Sequence, residues 1–277
     1  MLKTRVITAL VLMALLLPSI FLLPQAAWAL LVAVFIGIAA WEWGALLKWS
    51  DNGRRLLGVV TVLICAALSW FDPAAIGAAQ TFAPAALWVM VLYALSGLFW
   101  CLLMPFWLQA QWALGGFSGL LVGAVVLLPT WLAMVQLRML GPWVLLGIFA
   151  IVWMADIAAY FSGRAFGKHK LAPTISPGKT REGAYGALVG VLLYGLAVRY
   201  GVGLEFPSLP LWVLTLLFVT GISIIGDLFE SLLKRKAGIK DSSNVLPGHG
   251  GVLDRIDSLT STLPVVALLL LLTVVRV

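Results

Sequence analysis

Charge is what this 277-residue chain has least of: Asp, Glu, Lys and Arg make up only 10% of it. Soluble domains carry about a quarter charged residues, so a water-facing surface around one core is excluded. Disorder is excluded too, because it needs low hydrophobicity and 62% of these residues are hydrophobic. Cysteine is scarce. Cys65 and Cys101 fall in apolar runs, far from the two histidines, His169 and His249. That supports neither a disulfide framework, a zinc site nor a catalytic thiol. What the chain has in quantity is apolar side chain, more than one small core can hide. The solvent that accepts it is a bilayer.

At about 20 residues per crossing, the apolar runs place spans over 6–23, 28–47, 56–71, 85–104, 116–135, 142–161, 184–198, 211–229 and 259–275. Such runs satisfy their own backbone in lipid only as helices or closed barrels, and the alternating short segments of a barrel are absent. The expected fold is an all-α polytopic membrane protein of nine transmembrane helices. Eight is the alternative, because 56–71 is short and Pro129 interrupts 116–135, so either could be tilted, kinked or re-entrant. One membrane-embedded domain, 1–277, is expected, with N-terminal helices over 1–135 and the catalytic helices and loops over 136–277. The first run follows Lys3 and Arg5 and precedes Gln-Ala-Ala-Trp-Ala, which looks like a cleavage site. Its length, and the second span that follows at once, favour a retained helix.

The net charge of +7 reads as the basic bias of inner loops, not as nucleic-acid binding. With the N-terminus in the cytoplasm, 15 of the 18 Lys and Arg fall on the inner side; Arg138, Arg199 and Arg276 are the exceptions. The inner stretches 162–183 and 230–257 are polar, rich in Gly and base, and carry both histidines. Any chemistry is therefore expected on the cytoplasmic side of a bacterial-type inner membrane.

Carboxylates within spans cost about 2.5–3.5 kcal/mol to insert and mark function by default. Asp156, Asp227, Asp254 and Asp257 are expected at similar depth near the inner surface. Asp227, Glu230, Ser231 and Lys234 share one helical stripe, and Asp254, Asp257, Ser258 and Ser261 share another. Antiparallel neighbours can face these stripes across a gap, where repelling carboxylates call for a cation and hard oxygens suit Mg2+. The plainer alternative pairs Asp227 and Asp254 with Lys234 or Arg255 to hold helices together. Glu42 is expected to pair with Lys48 or lie at the interface. Pro-Gly-Lys-Thr at 177–180 is no P-loop, since Pro173 stands where that motif needs Gly and no strand is expected before it. The basic, Gly-rich loops suit a phosphate cradle or, alternatively, a surface for anionic headgroups.

The run from Ser231 through Lys240, Asp241, Pro247-Gly248-His249-Gly250-Gly251, Asp254 and Arg255 to Asp257 resembles the signature of the phosphatidate cytidylyltransferases, the CDP-diacylglycerol synthases. The upstream stretch from Ala155 to Gly183 is similar to the same family; the first half of the chain matches only as generic apolar spans. The resemblance implies that CTP and phosphatidate give CDP-diacylglycerol and pyrophosphate with a divalent metal. On that basis Asp227, Asp254, Lys240 and His249 are expected to be catalytic. Lys179, Arg181, Ser231, Lys234, Arg235, Asp241, Gly250, Gly251 and Arg255 are expected to bind substrate. Asp227, Asp254, Asp257 and Asp156 are expected to hold Mg2+, as two divalent ions, with room in the expectation for a monovalent ion. The partners implied are CTP, phosphatidate and the bilayer. Small-residue pairs at Gly119/Gly123 and Gly186/Gly190 suit close helix packing, within one chain or in a homodimer.

Other readings compete. A CTP-dependent lipid-alcohol kinase would share nucleotide, metal and membrane but attack the γ-phosphorus. The Asp-Gly-x2-Ala-Arg pattern of CDP-alcohol phosphatidyltransferases is absent. A secondary transporter would place its acids near the midplane and show internal repeats, and neither feature is evident.

Overall fold

The computed structural model describes residues 2–79, 84–203 and 207–274. Arg276, and the end of the ninth expected span at Val275, lie outside the described residues. Among those described, nine helical segments are long and apolar enough to cross a membrane, and the chain is an all-α polytopic membrane protein. The helices are α1 (Leu2–Leu22), α2 (Gln25–Leu46), α3 (Asp51–Phe71), α4 (Leu87–Leu98), α5 (Met104–Ala110), α6 (Gly116–Met139), α7 (Pro142–Phe166), α8 (Arg181–Val202), α9 (Leu209–Ala237) and α10 (Leu253–Val274). They run up and down, so one end of the bundle collects the basic loops and is called the basic end below. Large apolar side chains such as Leu10, Val59, Trp143 and Leu193 stand on the outer surface, which lipid accepts and water would not.

Both doubtful spans are full helices. The third starts five residues earlier than its apolar run because Ser50 caps it, accepting from the Gly53 amide at 3.4 Å. The fifth is α6, which continues past Pro129 to Met139; next to the proline, the Thr130 hydroxyl donates to Val126 O and lies 3.3 Å from Thr260 O of α10. α4 and α5 form one span joined by a π turn at Phe99–Leu103. Pro105 follows it, and a proline cannot donate to the carbonyl four residues back.

The helices near the signature outrun their apolar stretches. α9 extends to Ala237, and α7 to Phe166. The 162–183 stretch is not simply a loop: it contains a hairpin of β1 (Lys170–Ala172) and β2 (Ser176–Thr180), antiparallel, pairing Lys170 with Thr180 and Ala172 with Ser176. α10 packs on α9, α6 and α4, and one buried apolar cluster takes residues from both halves. The two small-residue pairs serve this packing. Gly119 and Gly123 leave room for Leu47 and Trp43, and Gly186 and Gly190 for Ser162 and Ala158.

Candidate active site

Three segments meet at the basic end. The first is the β1–β2 hairpin. Thr180 caps α8, accepting from the Gly183 amide at 3.1 Å. Glu182, two residues on, accepts from the His169 amide at 3.2 Å and from His169 Nδ1 at 2.6 Å. The hairpin tip is held from two sides, by Gln111 Nε2 donating to Thr174 Oγ1 at 2.8 Å and by Arg235 Nε donating to Ile175 O at 3.4 Å. Lys179 is thereby delivered to α9, where it pairs with Asp227.

The second segment is the end of α9. Asp227, Glu230, Ser231 and Lys234 do share a stripe: Ser231 Oγ donates to Asp227 Oδ1 at 3.3 Å. Lys234 Nζ lies 3.1 Å from Glu230 Oε1 and 2.6 Å from Asp254 Oδ1. Glu230 is buried, and although Lys234 is within ion-pair distance, neither of its oxygens accepts a well-oriented hydrogen bond. Phe229 anchors this helix between Phe99, Trp100, Trp107 and Trp43, with ring centroids 5.6–6.3 Å away. Gly238, at φ +79°, ends α9 in the left-handed conformation that glycine tolerates.

The third segment is the turn before α10. Leu246 N bonds Gly250 O and His249 N bonds Leu246 O, both at 2.8 Å. Gly250, at φ +82°, lies so close to Asp254 that a Cβ would meet its Oδ2 at 2.7 Å. Asp254, expected as a metal ligand, takes protein donors on both oxygens. Oδ2 takes the Ser242 amide at 2.8 Å, the Ser242 hydroxyl at 2.9 Å and the Gly251 amide at 2.8 Å, while Oδ1 takes Lys234. Its partner is thus Lys234, one of the two bases the plainer alternative allowed; Arg255 is exposed.

A cavity of about 450 Å3 opens between α7, α8 and α9. Asp156, Lys179, Thr180, Asp227, Ser223 and Ser258 line it, over a floor of small residues that includes Ala155, Ala159, Gly183 and Ala187. Asp257 is one residue from Ser258, and it interacts electrostatically with both Asp227 and Asp156. Lys179 and Arg255 are the cations that reach Asp156. Lys234 reaches Asp257 but is also paired with Glu230 and Asp254, so the carboxylates here outnumber the cations beside them. As they stand, no three His, Cys, Asp or Glu groups among the described residues are close enough to hold an ion.

Of the residues expected from sequence, Asp156, Lys179 and Asp227 line this cavity, with Asp257 beside it. Ser231, Lys234 and Asp254 form the adjoining polar cluster. Arg181, Lys240, Asp241 and Arg255 are exposed, and His249 is half-buried with its Nδ1 unbonded. None of these five lines the cavity, and Arg235 serves the hairpin. Gly250 and Gly251 give the close approach the turn needs.

Glu42 departs from its expectation. It makes no contact with Lys48, which lies beyond the end of α2, exposed and in a left-handed conformation. Glu42 is 0% exposed and accepts from Ser243 Oγ, Val252 N and Leu253 N. The signal was available: Lys48 is at i+6, outside the i+3 and i+4 spacings that bring side chains together on a helix, so it was never a natural partner.

A profile of the cytidylyltransferase family matches residues 3–273. A phosphatidate cytidylyltransferase from Pseudomonas aeruginosa is 42% identical over 276 residues, covering 98% of this chain and 97% of that protein. Its counterpart from Haemophilus influenzae is 35% identical, over 95% of this chain and 96% of that one. One from Staphylococcus aureus is 46% identical over 125 residues, 44% of this chain.

Proposed function

The chain belongs to the cytidylyltransferase family, among the phosphatidate cytidylyltransferases, and from that premise we propose that it transfers the CMP moiety of CTP to phosphatidate. An oxygen of the lipid phosphate bonds to the CTP α-phosphorus, the bond from that phosphorus to the bridging oxygen breaks, and pyrophosphate leaves. The attacking oxygen is already anionic, so no base is needed. The demand is alignment and neutralisation of many negative charges.

The observation that carries this reading is the cavity at the basic end, where Lys179 bridges to Asp227 with Asp156 and Asp257 within electrostatic reach. It sits at the ends of spanning helices, where a lipid phosphate and a soluble nucleotide can meet. Lys179 binds phosphate by exchanging Asp227 for an anionic oxygen. Lys234 keeps Asp254 and Glu230 in register, and Lys240 and His249 stand on the loop beside them. Asp156, Asp227 and Asp257 have the hard oxygens and negative charge that suit Mg2+, and they are the residues that would draw together to hold it. When bound, the ion neutralises phosphate charge. Asp254 holds the turn through Oδ2 and meets Lys234 through Oδ1. The basic end faces the cytoplasm of a bacterial inner membrane, as the 15-to-3 distribution of bases supports.

The test supplies CTP labelled at either the α- or the γ-phosphorus to sealed vesicles containing the protein. The α-label should enter the lipid, only in vesicles with the basic end outward, and chelation should stop it. γ-label in the lipid would replace this reading with a kinase, and product from the opposite orientation would overturn the topology.

A further inference from the structure

A glycine-rich turn running into a helix N-terminus is an anion-binding arrangement, because successive backbone N–H groups converge and the helix dipole favours negative charge. The turn at 247–252 has this form, and its basic surroundings suggest phosphate. Yet its amides are already taken. The Gly251 amide donates to Asp254 Oδ2 at 2.8 Å, the Val252 amide to Glu42 Oε1 at 3.0 Å and the Leu253 amide to Glu42 Oε2 at 2.6 Å. Two protein carboxylates fill the cradle from within, and one comes from α2, about 210 residues away in sequence.

We infer that Glu42 is a positioning residue: its buried carboxylate caps α10 across the bundle and sets the first turn of that helix, with Asp254 and Asp257, against the cavity. Three features support it. Glu42 is fully buried, yet makes no ion pair among the described residues, so its counter-charge is the α10 N-terminus. It also takes the Ser243 hydroxyl at 2.5 Å, beside Ser242, which bonds Asp254. The same loop is therefore tied at adjacent residues to α2 and to α10. Finally, Gly251 has no room for a Cβ, because Glu42 Oε1 and Ser242 Oγ occupy that space. The neighbouring Trp43 packs near Phe229 and bonds Gly119 O at 2.9 Å. Two consecutive residues of α2 thus hold α10 and α9 in place.

The consequence for turnover rests on the function proposed above; the capping itself does not. In Glu42→Gln the shape is kept, but an amide N–H2 replaces one acceptor. Hydrogen–deuterium exchange over 249–256 should accelerate by about tenfold or more, the equivalent of one lost charge-assisted bond, with α7 and α8 unchanged. The kcat should fall by about tenfold or more, while KM for CTP moves less than about threefold, since alignment and not binding is lost. Glu42→Asp, which keeps the charge, should recover part of the kcat. If Glu42→Gln does not yield folded protein, Ser243→Ala carries the same test with smaller shifts of the same kind. Unchanged exchange over 249–256 would overturn the capping. Faster exchange with unchanged kcat would overturn the positioning role. An absence of cytidylyl transfer in the unaltered protein, with the exchange effect intact, would instead remove the functional premise.

Discussion

The two ends of the bundle both hold buried polar groups, but they use them differently. At the end away from the basic loops, every donor named has its acceptor. Arg138 gives Nε to Ile20 O at 2.7 Å, Nη1 to Gln25 Oε1 at 2.9 Å and Nη2 to Leu23 O. It also lies over the ring of Trp28. Gln136 bonds Ala75 O at 2.8 Å and accepts from Tyr93 at 3.1 Å, and Asp72 accepts from Trp88 Nε1 at 2.8 Å. At the basic end, Glu230 is buried without a hydrogen bond, His249 Nδ1 has none, and the carboxylates outnumber the cations beside them. Saturation marks a staple that joins α1, α2 and α6. Surplus charge of one sign around a cavity marks a place built for a charged ligand, because the protein alone does not neutralise it.

Substitutions at the two ends should break apart along this line. Asp227→Asn keeps the size and removes the charge. Its kcat is expected to fall by at least about 100-fold, the scale lost with a key electrostatic stabiliser. Folding should be unimpaired, since repulsion with Asp156 and Asp257 is relieved. Near-normal turnover in a radiolabel assay would take Asp227 out of the site. Lys179→Arg keeps the charge but changes the donor shape. A loss of about tenfold in kcat/KM for CTP is expected, as for one misaligned bond to a charged group at about 1.5 kcal/mol. Under the same assay Lys48→Ala should be silent; equal small losses in both would favour a surface that merely attracts anionic lipid.

The smallest effect on activity, with the clearest effect on stability, belongs to the opposite end. Arg138→Met removes the donor and leaves two carbonyls and Gln25 without it. Stability should drop by about 3 kcal/mol, at about 1–3 kcal/mol for each group left unpaired. Thermal melting in detergent reads this directly. Turnover per folded molecule should stay within about twofold of normal. A selective loss of kcat with unchanged melting would mean that the two ends are coupled.

Much of the candidate site was legible because membrane insertion makes charge conspicuous. Asp156 and Asp227 stood out as acids in apolar runs, and both line the cavity. The stripe from Asp227 to Lys234 followed from helical period alone, and its contacts are seen. Lys240, Asp241 and Arg181 were expected at the site from the family resemblance, yet charge in a loop carries no direction, and all three are exposed. Asp254 and Glu42 show the same limit from inside: the acids were visible, but not whether they face a ligand or backbone amides.

Sequence by itself placed the apolar crossings, nine of which are seen among the described residues, and marked the four aspartates as acids at their ends. In lipid each helix must satisfy its own backbone, so the signal for a span is contained within the span. Only the tertiary structure decided the rest: that Lys179 reaches Asp227, that Asp254 meets Ser242, Gly251 and Lys234, and that Glu42 fills the amide cradle of α10. Those pairings join residues up to about 210 positions apart. Local periodicity says which face of a helix a side chain occupies, but the partner on that face is set by how ten helices pack.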